Sequence, residues 1–73
     1  MDPAREAIIQ SLQRQMEMQI TVRSRHLTWA DRADNSEIAQ FHVEMADLLS
    51  QVVNQYNHLL DKYNQPPDVG TAI

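Results

Sequence analysis

The sequence predicts an all-α fold: two long amphipathic helices folded back on each other as an antiparallel hairpin. Three observations predict it. Apolar residues recur at helical spacing through both halves of the chain. No Gly or Pro interrupts the 60 residues between Pro3 and Asn64. A polar segment, Asp31-Arg32-Ala33-Asp34-Asn35, separates the two periodic stretches.

The first helix is expected over about residues 3–29. Asp2 is the N-cap candidate, and Pro3 suits the first helical position, where no backbone donor is needed. Glu6 places negative charge in the first turn, and Arg23, Arg25 and His26 place cations near the far end, both in keeping with the helix dipole. Good helix formers fill the interval. At ~100° per residue, Ile8, Ile9, Leu12, Met16, Ile20 and Leu27 share an arc of about 120°. A second stripe, set apart from the first, holds Ala4, Ala7, Met18, Val22 and Trp29. One antiparallel neighbour needs one stripe; this helix has nearly two.

Residues 29–35 read as the connection. Asp34 and Glu37 have capping-box spacing, with Asn35 and Ser36 as alternative caps. The second helix is expected over about residues 35–63. Ile38, Phe41, Met45, Leu48, Leu49, Val52, Tyr56, Leu59, Leu60 and Tyr63 form one broad stripe. Within it, 38, 41, 45, 48 and 52 have a/d heptad spacing. With the turn at 31–34, Ile20 falls level with Met45, Met16 with Leu49, Leu12 with Val53, Ile9 with Tyr56 and Arg23 with His42. The hairpin domain thus covers residues 1–63. Residues 64–73, with Pro66, Pro67 and Gly70, read as a flexible tail.

A hairpin of this size is expected to be marginal alone. Compact folding of 73 residues would bury roughly 7,500 Å², contributing on the order of 110 kcal/mol. Ordering the chain costs about the same, ~1.5 kcal/mol per residue. Dimerisation into a four-helix bundle covers the surplus stripes of both helices. The residues expected at a dimer or partner interface are Leu12, Met16, Met18, Val22, Arg23, Trp29, Met45, Leu48 and Val52. Arg23 lies on the apolar stripe between Ile20 and Leu27; its guanidinium is expected to meet a carboxylate of this chain or of its dimer mate.

Composition excludes several classes of function. There is no Cys, hence no disulfide or thiolate chemistry. No apolar run approaches the ~20 residues of a membrane span, and no signal-peptide core is seen, so the expectation is a cytoplasmic protein. The formal net charge is −4. Residues 31–73 carry the excess, with seven acidic residues against Arg32 and Lys62. That balance argues against nucleic-acid binding, which depends on many Lys and Arg contacts to phosphate. An arginine patch near the turn, formed by Arg23, Arg25 and Arg32, keeps it as the second reading.

No catalytic residue, metal ligand or cofactor site is expected. His26, His42 and His58 lack i, i+3 or i, i+4 spacing and have no Cys to complete a site. Ser11, Ser24, Ser36 and Ser50 are scattered without a base nearby on the same face, and glycine-rich phosphate loops are absent. Glu44 and Asp47 form a Glu-x-x-Asp pair, with Glu37 one heptad earlier. That pair resembles the helical carboxylates of MazG-like all-α nucleotide pyrophosphohydrolases, which implies Mg²⁺-dependent chemistry as a third reading. The family's upstream Glu-x-x-Glu is missing from this sequence, and a solvated acidic face accounts for the three residues.

In size, lack of Cys and double helical pattern, notably from Ile38 to Tyr63, the chain resembles the small two-helix early proteins of lambdoid and Shiga-toxin-converting phages. The resemblance implies a modulator of phage development or host regulation that acts by binding protein, and it carries over no individual residue. The leading expectation is therefore a non-enzymatic, homodimeric interaction module or small regulator, with a host or phage regulatory protein as a further partner.

Overall fold

A computed structural model describes residues 2–64. It contains two helices, α1 (Pro3–Arg32) and α2 (Ser36–Asn64), packed against each other as an antiparallel hairpin. No strand occurs among the described residues. The tail expected at 64–73 lies outside them, apart from Asn64, which closes α2.

The start of α1 follows from local chemistry. The Asp2 carboxylate accepts from the Ala4 backbone N–H at 3.0 Å, and Pro3 follows as the first helical residue. Glu6 N donates to Asp2 O at 3.0 Å, closing the first turn.

The far end differs from the sequence reading. The connection expected at residues 29–35 is only Ala33, Asp34 and Asn35, because α1 continues through Arg32. Nothing in Trp29-Ala30-Asp31-Arg32 breaks a helix, and the Trp29 ring packs edge-on against His26. Asn35, rather than Asp34, caps α2. Its side-chain oxygen accepts from Glu37 N at 2.7 Å and from Ile38 N at 3.4 Å, the two donors that an N-cap serves.

The longer α1 moves the fulcrum of the hairpin and changes its register. His26, not Arg23, lies against His42, with 2.9 Å between their Nδ1 atoms. Gln15 meets Tyr56, whose hydroxyl donates to Gln15 Oε1 at 2.9 Å. At the open end, Arg5 donates to the Tyr63 carbonyl, placing a cation on the C-terminal turn of α2. The pairs Ile20–Met45 and Ile9–Tyr56 expected from a turn at 31–34 are accordingly offset by about one helical turn.

The seam also uses a different heptad from the one most prominent in the sequence. Only Ala46, Val53 and Leu60 are buried among the described residues, at intervals of seven. With half-buried Ala39, His42, Leu49, Tyr56 and Tyr63 they form an a/d ladder toward α1. On α1 the half-buried ladder is Arg5, Ile9, Leu12, Met16, Gln19, Arg23, His26 and Ala30, continued by Ala33 in the connection. The run 38, 41, 45, 48, 52 lies one position away from this seam, and Ile38, Phe41 and Leu48 are exposed. Small residues decide the difference. Ala39 and Ala46 on α2, Ala30 on α1 and Ala33 in the connection let the backbones approach near the turn, where larger side chains are held to the side.

Candidate interaction face

The seam leaves a second apolar surface open on each helix. On α2 it holds Ile38, Phe41, Met45, Leu48, Val52 and Leu59. On α1 it holds Ile8, Met18, Val22 and Trp29. At ~100° per residue, each set is rotated from its own seam by roughly 85°, in the same sense. Two antiparallel helices carrying offsets of the same sense present them on one side of the hairpin. The two stripes therefore merge into one face.

Side-chain contacts agree with this placement. Leu12, Gln15, Val52, Gln55, Tyr56 and Leu59 line a shallow groove that runs between the helices on that side. Nearer the turn, Trp29 and Phe41 both flank the histidine pair. The Trp29 ring centroid lies 5.4 Å from that of His42, and the Phe41 centroid 6.4 Å from that of His26. Leu27 and Val43 are exposed on other sides of the hairpin, where they stand apart from this stripe.

The face is unusually open for side chains of this type. Met18 is 65% exposed, Leu48 55%, Phe41 54% and Trp29 48%. No fully buried large side chain exists among the described residues. Contiguous apolar area of this kind marks an interaction surface.

The residues expected at an interface divide between the two surfaces. Met18, Val22, Trp29, Met45, Leu48 and Val52 border the open face; Leu12, Met16 and Arg23 belong to the hairpin seam. Arg23 is half-buried, and its Nη1 donates to Ser50 Oγ at 3.5 Å. Its partner within the chain is thus a hydroxyl, where a carboxylate was expected. Glu44 is exposed on the outer side of α2, turned away from the seam that holds Arg23.

The same geometry separates the arginine patch considered above. Arg23 points into the seam, whereas Arg25 and Arg32 are exposed on the outer flank of α1. Glu37, Glu44 and Asp47 are exposed along the outer and reverse sides of α2. Among the described residues, no group of three or more His, Cys, Asp or Glu side chains converges closely enough to hold a metal ion.

The histidine pair was not visible from sequence spacing, because the hairpin, not a single helix, brings it together. A hydrogen bond between two Nδ1 atoms requires one ring to donate and the other to accept. Together with Trp29 and Phe41 the pair forms a cluster of four rings at the turn end. The only available signal was its register: His26 and His42 lie equally far from the centre of a turn at Asp34.

No helix among the described residues is long and apolar enough to cross a membrane. No protein-family model matches the chain, and neither a curated protein nor a solved structure matches it significantly.

Proposed function

We propose that this chain is a non-enzymatic protein–protein interaction module whose working form is a homodimer, a four-helix bundle closed over the open face of each hairpin. The single observation that carries the proposal is the apolar face between the turn and the middle of the hairpin, where Met18, Trp29, Ile38, Phe41 and Leu48 are exposed on a chain with only three buried residues among those described. A second copy is the occupant that fits. Its face is apolar over the same stretch and carries the same heptad spacing. The proposal includes a regulatory role, supported by the likeness to small early phage proteins, with the dimer presenting its polar outer sides to a host or phage partner. Cytoplasmic action is part of the same reading.

Trp29 reports on this directly, because it is the only tryptophan and stands on the face. Its fluorescence is expected to shift to the blue as concentration rises through the dimerisation range, and to return on dilution. An emission spectrum typical of an exposed indole, constant across that range, would contradict closure over Trp29.

A further inference from the structure

The charged residues that border the open face specify how two copies meet. On the outer edge of α1 the charged residues are Arg14, Glu17, Arg25 and Arg32, all exposed. Arg14 and Arg25 line a shallow groove together with Met18 and Val22, so they stand directly beside the apolar surface. On the corresponding edge of α2, Glu37 and Glu44 are exposed in the half nearest the turn. These are the positions that set partner choice and orientation in helical bundles.

Two arrangements bring the faces together around a two-fold axis. With the axis parallel to the helices, both turns lie at the same end. The outer edge of α1 then meets that of the other copy's α2, and every neighbouring pair of helices is antiparallel. Such an axis preserves height along the bundle. The register that sets His26 against His42 and Arg5 against Tyr63 therefore places Arg25 level with Glu44 of the other copy, and Arg32 level with its Glu37. With the axis across the helices, the turns lie at opposite ends and each helix meets its own copy. That arrangement offers Glu37 to Lys62 on α2, but it lays the α1 edge along itself, where Glu17 is the one carboxylate against three arginines.

We infer that the two hairpins associate with their turns at the same end, held in register by Arg25–Glu44 and Arg32–Glu37 pairs between copies. The inference rests on the self-association proposed above. It also gathers Trp29 and Phe41 of both copies at one end of the bundle.

The test is a distance. The chain has no Cys, so Asp34→Cys in the connection gives one nitroxide label per copy. The same-end arrangement predicts a label-to-label distance of about 25 Å by pulsed electron resonance, given layers ~10 Å apart and two label arms. Opposite ends would give about 45 Å or more, the length of a helix this long. The pairs themselves are read by charge reversal: Arg25→Glu should weaken the dimer roughly tenfold at low salt, and adding Glu44→Arg should restore it. Dimers with only the long distance would overturn the inference and leave self-association standing. Labelled chains that sediment as monomers at every concentration would overturn both.

Discussion

Leu48→Asp is expected to dissociate the dimer and lower its thermal midpoint in the same step. In the single chain Leu48 is 55% exposed, and a surface substitution of that kind costs a monomer no more than about 0.5 kcal/mol. Closed over by a second copy, the same position lies near the middle of the apolar face. Asp there loses the burial of the leucine and desolvates a carboxylate, about 3 kcal/mol or more per protomer. For a chain of this length that lowers the midpoint by more than ~12 °C. Folding and association are linked, so the loss deepens on dilution. Thermal circular dichroism with sedimentation of the same samples checks it. An unchanged midpoint and mass would place Leu48 in water.

Val53→Asp is expected to do more, and by a different route. Val53 is 7% exposed and sits between Ala46 and Leu60 on the seam. A carboxylate there is buried whether or not a second copy binds. Its cost, about 3–5 kcal/mol, falls on a hairpin with little else in its core. The helical circular dichroism signal should be lost at room temperature at every concentration. Full helicity with a midpoint within a few degrees of the unsubstituted chain would show that the seam does not hold the hairpin together. The pair of substitutions separates the two surfaces: one loss depends on concentration and the other does not.

The helices themselves were legible in the sequence because their determinants are local. Asp2, Pro3 and the unbroken periodicity define α1 without reference to anything distant. The end of α1 was not legible, because Trp29 to Arg32 neither favours nor forbids helix, and part of the ring packing around Trp29, that with His42, comes from across the hairpin. One extra turn of α1 then carried the whole register with it. The seam was misread for a related reason. Periodicity shows which side of a helix is apolar, and it weights large side chains. It cannot separate two adjacent apolar ladders when the buried one contains alanines. Ala39, Ala46, Val53 and Leu60 recur every seven residues, yet beside Phe41 and Leu48 they read as the weaker signal. The breadth of the stripe was the useful clue, since a helix with two adjacent apolar ladders needs two neighbours. The histidine pair could emerge only after the register was known.

Sedimentation equilibrium of the unsubstituted chain at about 10 μM, a concentration at which a linked folding and association equilibrium should favour assembly, tests the central claim most directly. The account predicts a helical species of twice the 8.4 kDa chain mass, dissociating and unfolding together on dilution. A stable, fully helical monomer of 8.4 kDa would contradict it.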